Sequence, residues 1–226
     1  MQDFPYMNLL INISSIICLS ITLIVAFIIY RRDPKSYETK FYVIFFVGLG
    51  GLVGFYLFLQ HPVLKDASYF FQVLSMSTLI FGISQFYYTI AHEGKLSMRI
   101  LFLSAIILYL LPVISLIFHP YTIIEEPHGF ELIIEPWFMI LISIIYMSFG
   151  FYAVIKLLLM GLNTADPTLK RHLKFNFLGL IIIGTGSILF FVVIPIFFNI
   201  QYLKPVGWFL VTIGVVVMAY SFIKRK

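Results

Sequence analysis

The sequence predicts an all-α membrane protein, a bundle of seven transmembrane helices with the N-terminus outside and the C-terminus in the cytoplasm. Three observations support this fold class: composition, the number of long apolar segments and the placement of basic residues. Of the 226 residues, 61% are hydrophobic and 11% are charged, and the mean hydropathy is +1.02. Soluble domains are about half apolar and a quarter charged. The composition therefore excludes an ordinary soluble domain and favours a chain that lies in a bilayer.

Seven apolar segments are each long enough to cross a hydrocarbon core of about 30 Å, which takes about 20 helical residues. Together they form one predicted domain over 1–226, with spans at about 7–30, 41–59, 69–91, 100–118, 136–160, 175–198 and 205–223. Barrel strands are excluded, because they are about 10 residues long and alternate in polarity. The first segment is not expected to be a cleaved signal peptide, because Asp3 is the only charge before it.

The basic residues predict the orientation. Thirteen of the fifteen Lys and Arg residues lie close to the end of an odd-numbered span or in the segment that follows it: Arg31, Arg32, Lys35, Lys40, Lys95, Arg99, Lys156, Lys170, Arg171, Lys174, Lys224, Arg225 and Lys226. This face has a formal charge of +9 and the opposite face one of −4. Because cytoplasmic loops are rich in Lys and Arg, the basic face is expected inside a plasma membrane. The positive charge thus indicates topology, and no nucleic-acid partner is expected.

The spans contain almost no ionisable side chains. Lys156 lies one turn from a span end and can extend to the interface. No lysine lies within the last span, 206–223, so a retinal Schiff base is excluded. The spans also contain no Asp or Glu, which counts against a proton-coupled transporter. The single cysteine, Cys18, excludes an internal disulfide and a cysteine-rich metal site. We therefore expect no cofactor and no metal.

Polar and small residues within the spans predict helix contacts. Gln85 is the best candidate for a buried interhelical hydrogen bond, with a ligand role as the alternative. Gly50 and Gly54 have GxxxG spacing, which permits close helix packing. That packing is either inside the bundle or at the face of a homodimer, and both remain open. Pro112 and Pro195 each remove one backbone donor from a span.

The loops contain no recognisable catalytic motif. His92-Glu93 begins like a zinc-protease motif, but position 96 is Leu96 instead of the second histidine. There is no GxSxG motif and no phosphate-binding glycine loop, so we expect no enzyme. His172 is expected to be solvated. The long loop 119–135 has two histidines, four glutamates and no basic residue. A solvated acidic loop, a cation site including His61 and a lid over an outward pocket all remain open.

A ligand pocket, if present, is expected in the outer half of the bundle. Its candidate ligand-binding residues are Gln85 and five polar or aromatic side chains near the outer interface. These five are Gln60, His61, Gln72, Glu135 and Trp137. Each of them has an alternative role as an interfacial residue, because Trp and polar groups are common at that depth.

The layout resembles the N-terminal seven-transmembrane region of bacterial and archaeal sensor histidine kinases. Several short features support the resemblance: the pair Arg31-Arg32, a glycine-rich second span, Phe86-Tyr87-Tyr88, His128-Gly129-Phe130, the run from Tyr146 to Leu159, and the stretch from Asp166 to His172. The resemblance implies a membrane sensor with a cytoplasmic output. No kinase domain follows the last span in this sequence, so we expect a stand-alone form that acts through a separate protein.

The function predicted from the sequence is that of a non-enzymatic sensor or receptor-like module. Its expected partners are the lipid bilayer and a cytoplasmic signalling protein docked on the basic face. Two alternatives remain open. A small transporter or channel would need a polar path, for which the spans offer few lining groups. A scaffold or assembly subunit of a membrane complex would use the contact at Gly50 and Gly54.

Overall fold

The computed structural model describes residues 7–59, 64–92, 95–126, 129–188 and 203–223. These residues form seven helices and one β-hairpin: α1 Met7–Arg32, α2 Tyr37–Leu59, α3 Lys65–Ala91, α4 Met98–Phe118, β1 Tyr121–Glu126, β2 Gly129–Ile134, α5 Pro136–Asn163, α6 Pro167–Ile188 and α7 Lys204–Ile223. The all-α fold class is confirmed, with the hairpin as an addition.

Six of the helices, α1 to α5 and α7, are long and apolar enough to cross a membrane. This confirms a multi-pass helical protein that associates with a lipid bilayer. The span predicted at 175–198 is only partly tested, because its second half lies outside the described residues. The described part of α6 includes Lys170, Arg171 and Lys174 in its first turns.

Three helices begin four or more residues before the apolar runs that predicted them. Helix α2 begins at Tyr37, α3 at Lys65 and α6 at Pro167, because a helix begins at its cap and not at its first apolar residue. At α6, Asp166 Oδ1 accepts a hydrogen bond from the Thr168 N–H at 2.8 Å. Pro167 takes the first helical position, where its missing N–H costs nothing.

The described helices group into two compact units. One comprises Met1–Val25 with Leu159–Lys226, and the other comprises Ala26–Leu158. We describe each unit separately. The prediction of a single domain over the whole chain is not tested and stays a prediction.

In the Ala26–Leu158 unit, α2 and α3 pack backbone against backbone. A Cβ built at Gly48 would collide with the main chain of Leu79, and one at Gly82 would collide with that of Phe45. Beside this contact, Tyr42 stacks on Phe86 with ring centroids 4.5 Å apart, and both side chains are fully buried. Small residues thus bring the helices together, and aromatic rings fill the space beside them.

The glycines singled out by their GxxxG spacing are both buried. At Gly54, a Cβ would meet no heavy atom of the described residues within 4 Å outside its own helix turn. The packing role predicted for Gly50 and Gly54 stays a prediction.

In the other unit, α6 and α7 meet at glycines spaced seven residues apart on each helix. A Cβ at Gly179 would lie 2.8 Å from the Gly214 carbonyl oxygen, and one at Gly186 would lie 3.1 Å from that of Gly207. The spacing matches two turns of an antiparallel helix pair. Substitutions larger than glycine at these positions would separate the two helices.

The connection from α4 to α5, predicted as a loop, contains the hairpin. Strands β1 and β2 are antiparallel, with Tyr121 opposite Ile134 and Glu126 opposite Gly129. The chain leaves α4 through His119, which has a left-handed conformation with φ of 43°. No strands were predicted in this connection from the sequence, although Pro127 and Gly129 are typical turn residues.

Candidate functional site

The hairpin is seated on one end of α3 through aromatic rings. The Tyr69 ring lies 4.6 Å from the Tyr121 ring of β1 and 6.1 Å from the Phe138 ring of α5, measured between centroids. Tyr69 is 1% exposed and Phe138 is fully buried. Three elements therefore meet at Tyr69: the start of α3, the first strand and the first turn of α5.

Two buried polar atoms lie at this end of α3. Tyr69 Oη and Gln72 Oε1 are inaccessible and have no hydrogen-bond partner among the described residues. The two residues are three positions apart, so their side chains share one face of the helix. Leaving such an atom unpaired costs about 1–3 kcal/mol. The pair therefore marks a place where a polar ligand would gain hydrogen bonds. We call Tyr69, Gln72, Tyr121 and Phe138 the hairpin site.

The structure places the predicted ligand residues as follows. Gln72 belongs to the hairpin site. Glu135 immediately precedes α5, and Trp137 is the second residue of that helix. Both side chains are exposed. The Trp137 ring meets the Phe138 ring edge-on at 5.4 Å, so it adjoins the hairpin site. Gln60 and His61 lie outside the described residues.

Glu135 has a structural role at the junction of hairpin and helix. Its N–H donates to the Pro120 oxygen at 2.9 Å, and its carbonyl accepts from the Phe138 N–H at 3.1 Å and the Met139 N–H at 3.0 Å. These are main-chain bonds, so they fix the entry to α5 whatever the side chain binds.

The interhelical hydrogen bond expected for Gln85 is present. Its Nε2 donates to Ser104 Oγ of α4 at 2.8 Å, and the Gln85 side chain is 3% exposed. Its Oε1 has no partner among the described residues. Gln85 thus ties α3 to α4, and a ligand role for it stays a prediction.

A second polar cluster connects α3 to both α4 and α5, one turn further along α3 than Gln72. Ser77 Oγ donates to the Leu108 oxygen at 2.8 Å. Tyr146 Oη donates to the Val73 oxygen at 3.0 Å and lies 3.0 Å from Ser77 Oγ. We call Val73, Ser77, Leu108 and Tyr146 the three-helix cluster. The cluster holds α4 and α5 to the same stretch of α3.

Sequence reasoning did not select Tyr69, Ser77 or Tyr146. One signal was available for Tyr146: it lies in the middle of the predicted span 136–160, far from the interfacial belt that tyrosines favour. A hydroxyl at that depth needs a hydrogen-bond partner. No comparable signal identified Tyr69, because its burial results from the hairpin.

The expectation of a solvated His172 was wrong. In the α6–α7 unit its side chain is 3% exposed, and its Nδ1 lies 3.0 Å from the Ser221 carbonyl oxygen. Asn176 Nδ2 lies 3.2 Å from His172 Nε2 and donates to Ser221 Oγ at 3.0 Å. A carbonyl can only accept, so Nδ1 carries the proton. Asn176 Nδ2 also donates to the main-chain oxygen of His172 at 3.1 Å, so its two hydrogens join that oxygen and Ser221 Oγ. His172 faces α7 because it lies seven residues before Gly179 on the packing face.

The hypothesis that segment 119–135 binds a metal cation is not tested. In the described parts of the chain, no three His, Cys, Asp or Glu residues are grouped so that they could hold a metal ion. The side chains of 125–132, which include three of the four glutamates, are not among those described.

The predicted basic face is described in part. Arg31 and Arg32 end α1, and Lys170, Arg171 and Lys174 are exposed in the first turns of α6. Arg31 lies 5.4 Å from the centre of the Phe27 ring, a typical cation–π distance. Lys224, Arg225 and Lys226 lie outside the described residues.

No family model, curated protein or solved structure matches this chain. The resemblance to the seven-transmembrane region of sensor histidine kinases therefore stays a prediction.

Proposed function

We propose that the chain is a non-enzymatic, receptor-like membrane module that senses a ligand at the hairpin site. The observation that carries the proposal is the pair of buried, unpartnered polar atoms, Tyr69 Oη and Gln72 Oε1. The Tyr69 ring contacts Tyr121 of the hairpin and Phe138 of α5, and Gln72 lies one turn further along the same face of α3. A ligand with both donor and acceptor groups would complete the hydrogen bonding of both side chains.

The proposed signal travels along α3. Gln72 is adjacent in sequence to Val73, whose carbonyl accepts from Tyr146 of α5. Ser77 and Gln85, further along the same helix, bind α4. A shift of α3 caused by a ligand would therefore alter contacts with α4 and α5 together. Small helix shifts that change contacts with neighbouring helices are one form of protein switching.

The proposed output is a cytoplasmic protein that docks on the basic inner face. With the N-terminus outside, as the basic residues predict, the hairpin site lies on the outer side of the plasma membrane and Ile223 at the end of α7 lies on the cytoplasmic side. The support is the charge difference between the two faces, +9 against −4.

The test is a thermal-stability screen of the purified full chain against a library of small polar compounds. We expect some compounds to raise the melting temperature of the wild-type chain and to lose this effect with Gln72→Ala and Tyr69→Phe. Ser143→Ala is the control, because Ser143 is exposed on α5. Glu135→Ala tests whether the Glu135 side chain also contributes.

Hits that stabilise the wild type and the Gln72 and Tyr69 variants equally would move the binding site away from the hairpin. A screen without any stabilising compound would overturn the receptor proposal. With a hit, cross-linking from Lys170 and Lys174 in native membranes would identify the cytoplasmic partner. Failure to capture any such partner would contradict the proposed output.

A further inference from the structure

The first three turns of α6 carry a groove next to the face that packs against α7. Its volume is about 340 Å³, and its lining residues are Pro167, Lys170, Arg171, Lys174, Phe175 and Leu178. We call it the basic groove. The helix is held to α7 at His172, Asn176 and Gly179. The groove adjoins this contact, because the Phe175 ring lies 5.5 Å from the Tyr220 ring of α7, measured between centroids. Lys170, Arg171, Lys174 and Leu178 are exposed.

The groove concentrates positive charge. Lys170 and Lys174 are one helical turn apart, Arg171 lies between them in sequence, and all three are exposed. The Arg171 guanidinium lies 5.8 Å from the centre of the Phe175 ring, which holds it over the groove. In the described part of the chain no acidic residue lines the groove. Three cations without a carboxylate in the same groove create a strong attraction for an anion.

The acidic residue nearest in sequence is already engaged. Asp166 caps α6 through its bond to the Thr168 N–H at 2.8 Å. Its charge therefore lies at the helix end and does not cover the groove.

The groove also has an apolar part. Phe175 and Leu178 follow the three cations along α6, and the chain is apolar from Phe177 to Ile183. Cations beside an apolar surface match a molecule with a phosphate at one end and a hydrocarbon chain at the other. Free inorganic phosphate would use only the cations.

We propose that the basic groove binds an anionic phospholipid. The phosphate contacts Lys170, Arg171 and Lys174, and an acyl chain lies against Phe175 and Leu178. The proposal does not depend on ligand sensing at the hairpin site, because it concerns another unit of the chain and another class of ligand. Lys170 and Lys174 also belong to the basic face on which we propose that the cytoplasmic partner docks.

The test is native mass spectrometry of the full chain in detergent, with phosphatidylglycerol titrated in and phosphatidylcholine as the neutral reference. The variant Lys170→Gln/Arg171→Gln/Lys174→Gln is expected to bind phosphatidylglycerol at least about tenfold more weakly, because each cation near a membrane surface contributes roughly fivefold. Binding of phosphatidylcholine is expected to stay unchanged.

The matched control is Lys35→Gln/Lys40→Gln/Arg99→Gln, which removes the same charge from exposed positions outside the groove. Equal loss of phosphatidylglycerol binding in both triple variants would overturn the groove as a site. Circular dichroism of each variant verifies that the helices are retained.

A second variant separates a lipid from a free phosphate. Leu178→Asn changes an exposed apolar residue and keeps all three cations. We expect it to weaken phosphatidylglycerol binding several-fold. Unchanged binding, or displacement of the lipid by equimolar glycerol 3-phosphate, would overturn the lipid assignment.

Discussion

Ser77 on α3 donates a hydrogen bond to the main-chain oxygen of Leu108 on α4 at 2.8 Å. Leu108 lies four residues before Pro112, so its carbonyl is the one that the proline deprives of its helical donor. Ser77 supplies the missing donor from the neighbouring helix, and α4 is continuous from Met98 to Phe118. In hydrocarbon an unpaired carbonyl costs several kcal/mol. The serine on α3 therefore allows a proline inside α4.

Ser77→Ala should lower the free energy of unfolding by about 1 kcal/mol, because the Leu108 carbonyl loses its donor and Tyr146 loses one neighbour. Thermal unfolding in detergent, followed by circular dichroism, measures the change. Ser148→Ala is the matched control, because Ser148 is exposed and its hydroxyl bonds within its own helix to the Ile144 oxygen.

A double-mutant cycle tests the role of the proline. In Pro112→Ala, residue 112 regains an N–H that can bond to Leu108, so Ser77→Ala should cost measurably less in that background. An equal cost with and without the proline would show that Ser77 does not compensate for Pro112.

Gly48→Ala should destabilise the α2–α3 pair by about 1–3 kcal/mol, because the new methyl group would collide with the backbone of Leu79. Gly54→Ala on the same helix is the control: its Cβ meets no described atom within 4 Å, so better helix propensity should leave stability unchanged or slightly higher. The same unfolding measurement compares the two. Similar effects of both substitutions would contradict the backbone contact.

Asn176→Leu should destabilise the α6–α7 pair by about 1–3 kcal/mol, because Ser221 Oγ on α7 and the His172 main-chain oxygen lose the amide that donates to them. Asn163→Leu, at the exposed end of α5, serves as the control. Chemical unfolding in mixed micelles provides the readout. Stability that falls equally in the two variants would mean that the buried cluster contributes nothing specific.

The proposed orientation predicts labelling from opposite sides. In a Cys18→Ser background, which removes the single buried cysteine, Thr122→Cys on β1 should react with a membrane-impermeant maleimide added to intact cells. Lys35→Cys, between α1 and α2, should react only after the membrane is opened. Both side chains replaced are exposed. The reverse pattern would mean that the N-terminus lies inside.

The sequence predicted the helices well and their contacts less well. Apolar length alone placed six membrane-length helices, because the bilayer thickness sets the length of a span. Gln85 was recognised because an amide in a span must find a partner. The contacts at Gly48 and Gly179 were missed, since glycines facing a neighbour and glycines facing open space look alike in sequence. His172 was misjudged for a related reason: its exposed neighbours Lys170, Arg171 and Lys174 hide the fact that it lies on the face of α6 that packs against α7.

The length of α5 has a mechanical consequence. The helix has 28 residues, and at 1.5 Å per residue it is about 42 Å long, well beyond a hydrocarbon core of about 30 Å. Its buried residues are Phe138, Tyr146, Ala153 and Leu157, and most others are exposed. We expect such a helix to tilt in a bilayer thinner than its apolar length. Because Tyr146 donates a hydrogen bond to Val73 of α3, we expect bilayer thickness to change the contact between these two helices.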